Sequence, residues 1–291
     1  MRLSALFLAV VLADCSRFRG LDPLGPGSRL EDVAVGNRTR SFALHAPPRD
    51  SLGSARALVI ILHGRSGNGP RMEHESGFSH LADSIGFVVA YPNGDRDAGN
   101  RRSWSAADIP FMRALIDTLV RRYRLDPARV YVAGYSSGGG LSYRAAVELS
   151  DRVAAIGVVA GTSGGVAGLG DSAGVVRLSR PVPAIIFHGV EDLTVPYLGG
   201  SNPSGNVRSL SIPQLVAIWA RSNGCAGAPV TETLPNREAM SAEFEPCAGG
   251  SEVTFYSIVH GGHDWPDPNR PGARIPGSVL MWDFFSRHPL Q

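Results

Sequence analysis

The stretch VYVAGYSSGGGLSY, Val130 to Tyr143, sets two adjacent serines inside a run of glycines. The residues before it, RVYVAG, are β-branched and aromatic with little charge, the composition of a buried strand. The residues after it, LSYRAAVELSDRV, carry helix formers with apolar positions spaced for one face. The glycines therefore sit in a strand-to-helix turn rather than in a linker. Gly134-Tyr135-Ser136-Ser137-Gly138 fits G-x-S-x-G, the elbow that holds a nucleophilic serine on a sharp turn at the top of a sheet, with glycines leaving room for the backbone to bend. Ser136 is the candidate nucleophile. A second match, Gly161 to Gly165, also follows an apolar run, but no helical pattern comes after it, so Ser163 reads as a loop serine.

Working outward, apolar runs alternate with helical patterns. RSFALHAP near residue 40 reads as an edge strand. ALVIILHG and GFVVAYPN read as buried strands, and RVAAIGVVAG, VPAIIFHG and VTFYSIVHG continue the series. DIPFMRALIDTLVRRYRL reads as a helix with Asp108 as N-cap and with Phe111, Leu115, Ile116, Leu119 and Tyr123 on one face. IPQLVAIWARSNG and GSVLMWDFFSRH are further helices. The alternation predicts an α/β fold, a mostly parallel central sheet with helices on both faces, whose active site collects at the carboxyl ends of the strands.

A serine hydroxyl needs a base to take its proton, and the base needs an acid to orient it. On such a sheet they follow in the order Ser, Asp/Glu, His, each just past a strand. Asp192 lies after VPAIIFHG, and His263 lies after VTFYSIVHG. Glu191 is the rival acid and His260 the rival base. Asp264 is adjacent to His263 and poorly placed to orient that ring. His63 and His188 each precede a glycine at a strand end and read as loop-holding residues. An oxyanion hole would take backbone N–H groups from Ser137 and from Arg65, after ALVIILHG. The Arg65 side chain either meets a substrate carboxylate or ring, or points to solvent. Trp265 and the weaker Trp104 read either as core or as walls of a substrate site.

Composition narrows the rest. Lys+Arg total 28 against 26 Asp+Glu, a net charge of +2, and no basic stripe with interleaved aromatics appears, so nucleic acid is not an expected partner. Arg2 followed by LSALFLAVVLA reads as a signal peptide over residues 1–19, too short to span a bilayer, with a buried first helix as the alternative. LADC resembles a lipoprotein signal ending at Cys15, although Asp14 stands where a small residue is wanted. Residues 20–291 are left for one domain. Cys225 and Cys247 flank a polar loop. In an exported protein such a pair forms a disulfide, and two unpaired thiols are the alternative. Neither CxxC nor HxxxH spacing points to a metal.

ALVIILHGRSGNG, GFVVAYPNG, the helix and elbow from Asp108 to Tyr143, FHGVEDLTVPY and GGHDWP, in that order, resemble the secreted esterases of the polyhydroxybutyrate depolymerase and feruloyl esterase family. The likeness runs through nearly the whole chain after the leader. It implies an α/β-hydrolase fold, Ser136 as nucleophile, Asp192 as acid, His263 as base, a Cys225–Cys247 bridge and no cofactor. The implied substrates are feruloyl or acetyl esters on plant polysaccharide, or short hydroxyalkanoate esters. The chain departs from the family at Arg65-Ser66, where small residues or cysteine are common, and in GDRDAGNRRSWSAAD, which lacks a frequent cysteine pair. Both departures bear on substrate choice. Two other classes stay open: a peptidase on the same fold, which would need a site for a charged group, and a non-catalytic binding protein, which usually lacks a member of the triad.

Overall fold

In the computed structural model, residues 21–48, 55–161, 176–201, 208–235, 237–272 and 274–291 are described. Residues 1–19, read above as a signal peptide, with Cys15 among them, and Ser163 lie outside the described residues. Ten strands form one sheet: β1 (Ser28–Val35), β2 (Arg38–His45), β3 (Leu58–Leu62), β4 (Val88–Pro92), β5 (Val130–Tyr135), β6 (Ala155–Val159), β7 (Ala184–Gly189), β8 (Val230–Thr233), β9 (Ala239–Phe244) and β10 (Val253–Ile258). Their spatial order is β1-β2-β4-β3-β5-β6-β7-β10-β9-β8. The six central strands, β4-β3-β5-β6-β7-β10, run parallel to one another, and β1 and β2 at one side and β9 and β8 at the other add antiparallel pairs.

The parallel strands are continuous apolar runs because both faces are covered. Along β3, Leu58, Ile60 and Leu62 enter one core layer, while Val59 and Ile61 enter the other. The first layer is closed by α3 (Ile109–Tyr123), α4 (Ser137–Glu148) and α5 (Ile212–Ser222). The second is closed by α1 (Gly69–Ser76), α2 (Phe78–Ile85) and α6 (Gly277–Arg287). Phe111, Leu115, Ile116 and Leu119 on α3 are buried, as their spacing predicts, while Tyr123 is only half-buried.

Two local readings change and one is refined. β2 is not an edge strand, because β1 covers it residue for residue from Ser28↔His45 to Val35↔Arg38. Asp108 stands at the N-cap position of α3, as read, but its side chain makes no cap bond there: its carboxylate accepts from the Ser105 N–H at 2.8 Å and pairs with Arg40 at 2.9 Å, closing a capping box on the short turn Ala106–Asp108. The polar stretch between the cysteines folds as the β8–β9 hairpin. It lies at an edge where β8 is exposed throughout, so its strands need little apolar content. Cys225 and Cys247 are joined by a disulfide.

Leu115 is fully buried in the layer between α3 and the sheet. Leu115→Ala is expected to lower the unfolding free energy by about 2–5 kcal/mol in urea titration, as cavity-forming core substitutions do. A loss within the range of surface substitutions would contradict this packing.

Candidate active site

The turn after β5 is constrained from both sides. Ser136 adopts φ 54°, ψ −116°, an unusual conformation for a residue with a Cβ, and its N–H donates to Val159 O at 2.8 Å. The backbone on either side has no space to relax. A Cβ on Gly134 would stand 2.3 Å from the Gly138 carbonyl, and one on Gly138 would stand 2.5 Å from Leu62 O. The glycines thus let α4 start directly against the end of β3, and Ser136 is held at the carboxyl edge of the sheet.

The structure brings three of the expected side chains together. His263 Nε2 lies 2.9 Å from Ser136 Oγ, and His263 Nδ1 lies 2.7 Å from Asp192 Oδ2. The carboxylate can only accept, so Nδ1 carries the proton and Nε2 is left to accept from the serine. Asp192 is 2 % exposed. Burial opposes its charged form, but the neighbouring His188 ring together with hydrogen bonds from His263 and the Val195 N–H outweighs that cost, and the carboxyl is held well below the ordinary carboxylate range. Its other oxygen accepts from the Thr194 and Val195 N–H groups at 2.8 and 2.9 Å. Both oxygens are therefore held in place, and the ring bonded to Oδ2 inherits that placement.

The rivals go elsewhere. Glu191 and His260 bond to each other at 3.0 Å and are largely exposed. Asp264 pairs with Arg270 at 2.7 Å. His188 donates from Nε2 to Val195 O at 2.9 Å and stands 3.4 Å from Asp192 Oδ2, so it holds the acid's loop.

The loop after β3 comes close to the elbow: a Cβ on Gly64 would meet the Tyr135 ring at 2.8 Å. The Arg65 side chain does not simply point to solvent. It is half exposed, and its Nη2 pairs with Asp97 at 2.9 Å. Trp265 is 2 % exposed, donates to Ser278 Oγ at 2.9 Å and meets Phe78 edge-on, so it fills core between α2 and α6 and is not a substrate wall. Trp104 is half-buried against the His63 ring and donates to His63 O at 2.7 Å. Tyr135 has a contact that sequence reading missed: its hydroxyl donates to His263 O at 2.5 Å, tying the base's loop to the elbow. The one signal was its place as the first x of G-x-S-x-G.

Several findings place the chain among known proteins. The model of the family described as "Esterase PHB depolymerase" matches residues 40–189. "Putative esterase NocK" of Nocardia uniformis subsp. tsuyamanensis is 31% identical over 272 residues, covering 83% of this chain and 76% of that protein. "Feruloyl esterase B" of Piromyces equi is 30% identical over 81% of this chain, which spans only 43% of that protein. A solved acetyl xylan esterase from Aspergillus awamori superposes with TM-score 0.63 at 17% identity, covering 89% of this chain and 99% of that one, a likeness of fold.

His63 is 1 % exposed, donates from Nδ1 to Gly64 O at 2.6 Å, and accepts at Nε2 from the Gly94 N–H at 2.9 Å. A second proton would face that N–H. Burial, and then the charges of Arg102 and Arg40, lower its pKa from 6.5 to about 4, against the hydrogen bond to Gly64. Between these values the unfolded chain binds the proton and the folded chain does not, so stability rises with pH across the window and is lost as pH falls. In urea titrations, the stability advantage of wild type over His63→Gln is therefore expected to narrow from about pH 6.5 to about pH 4. A gap independent of pH would show that His63 is not held neutral. With its α/β-hydrolase fold and the family match over half its length, the chain belongs to the PHB depolymerase esterases, a family of carboxylic ester hydrolases.

Proposed function

We propose that the protein is a serine esterase working through an acyl-enzyme, with Ser136 as nucleophile, His263 as general base and acid, and Asp192 as the orienting carboxylate. The observation that carries this reading is the unbroken hydrogen-bonded run from Asp192 Oδ2 through both nitrogens of His263 to Ser136 Oγ. Ser136 attacks the ester carbonyl as its proton passes to His263 Nε2. Asp192 stabilises the imidazolium that forms. The developing oxyanion lies between the backbone N–H groups of Ser137, at the start of α4, and Arg65. His263 then protonates the leaving alcohol, and water repeats the sequence on the acyl-enzyme.

The names of the relatives support feruloyl or acetyl esters of plant polysaccharide as substrates, with short polyhydroxyalkanoate esters as the other class. The apolar leader over residues 1–19 and the Cys225–Cys247 disulfide support export. No helix among the described residues is long and apolar enough to cross a membrane. Residues 20–291 act as a single catalytic domain.

The test is turnover of nitrophenyl acetate, methyl ferulate and a hydroxybutyrate oligomer by wild type, Ser136→Ala, His263→Ala and Ser163→Ala. Ser136→Ala and His263→Ala are expected to lower kcat by about 10⁴-fold or more, with little change in melting temperature, while Ser163→Ala keeps activity. Full activity in Ser136→Ala would overturn the assignment. The relative rates on the three esters identify the acyl group.

A further inference from the structure

Beside the loop after β3, the molecule carries a charge pattern that ester cleavage does not use. Arg38, Arg40, Arg96 and Arg102, with Asp95 and Gly94, line a groove of about 510 Å³. Arg38 pairs with Asp95 at 2.7 Å. Arg40 is 8 % exposed, pairs with Asp108 at 2.9 Å, donates to Asn93 O at 3.0 Å and lies over the Phe111 ring, so the rear wall is rigid. Arg102 donates to Gly94 O at 3.2 Å. Arg96 is exposed, donates to Asn100 O at 2.7 Å and has no carboxylate partner among the described residues. Among the described residues, Asp95 in the wall pairs with Arg38 and Asp108 behind it pairs with Arg40, which leaves Arg96 as the exposed cation of the groove without a carboxylate of its own. The excess charge is felt nearby: burial, then the charges of Arg96 and Arg40, push the Arg102 pKa down from its ordinary value.

The groove is also joined to the candidate site. Arg102 O accepts from the Ser66 N–H at 2.7 Å, and Gly94 N–H donates to His63 Nε2 at 2.9 Å. Its walls therefore hold the loop that carries the Arg65 N–H. A substrate with its ester at Ser136 has the arginine groove beyond that loop.

We propose that the groove is a subsite for a carboxylate carried on the substrate away from the scissile ester, so that the enzyme favours esters on uronic-acid-bearing saccharides over esters on neutral ones. The inference rests on the esterase reading above. Guanidinium forks match a carboxylate's two oxygens. A modest positive excess, with Asp95 in the wall, suits a monoanion better than a phosphate dianion or a nucleic acid backbone.

The experiment compares acetylated xylo-oligosaccharides of one length with and without a glucuronic acid branch, using wild type and Arg96→Glu, a substitution at an exposed position. Wild type is expected to favour the acidic substrate by about tenfold in kcat/KM, mainly through KM, as the loss of one charged hydrogen bond would predict. The preference should shrink with added salt and vanish in Arg96→Glu. Equal rates on both substrates in wild type, or an equal loss on both in the variant, would overturn the subsite. A second arm measures calorimetric binding of the unacetylated acidic oligosaccharide to Ser136→Ala with and without Arg96→Glu. Binding that depends on Arg96 without any ester turnover would sink the esterase reading and keep the subsite; no binding would sink the subsite alone.

Discussion

The close approach of the β5–α4 turn to the end of β3 governs the candidate site. Gly138 lies so near the Leu62 and His63 carbonyls that no side chain fits between them, and Ser136 is left in a backbone conformation that few residues accept. That contact does two things. It thrusts the serine hydroxyl out of the sheet, and it sets the first N–H groups of α4 beside the loop that leaves β3. The nucleophile and the oxyanion donors proposed here are two results of one steric constraint.

The rest of the site is fixed from the far side of the sheet by hydrogen bonds rather than by close packing. Asp192 spends both oxygens on its own loop and on His263, and His188 closes the same loop from beneath. Tyr135 then ties the backbone of His263 to the elbow. His263 is held at its ring by Asp192 and at its carbonyl by Tyr135, two anchors from different strands. Such redundancy keeps a ring on a glycine-flanked loop in register with a hydroxyl on a rigid turn.

What could be read in the sequence follows from how local each signal is. The central strands are runs of β-branched residues that have no other stable home, and Ser136, Asp192 and His263 each sit just past such a run. The β8–β9 pair escaped notice because β8 meets water along its length, and polar residues such as Thr231 and Glu232 give no apolar alternation to follow. Trp265 could not be oriented from sequence, since its place depends on Ser278 across an irregular segment and on Phe78, far away in the chain. The partner of Arg65 was hidden for the same reason. The arginine groove has no local signature: it is assembled from the start of β2, the exit of β4 and the segment near Arg102, and only the fold brings their charges together.

The hydrogen bond between Ser136 and His263 joins residues 127 apart in the chain, and the one between His263 and Asp192 joins residues 71 apart. No segment shorter than that span holds the whole arrangement. The site comes into being only when β10, which delivers His263, docks in parallel beside β7, which delivers Asp192. Parallel pairing of this kind is non-local and closes late, because long loops must be ordered before any contact rewards them. The candidate site therefore exists only once the sheet is continuous from β5 through β7 to β10. A chain that lacks either strand lacks the arrangement altogether, so ester turnover, where the proposed function holds, reports on the intact sheet.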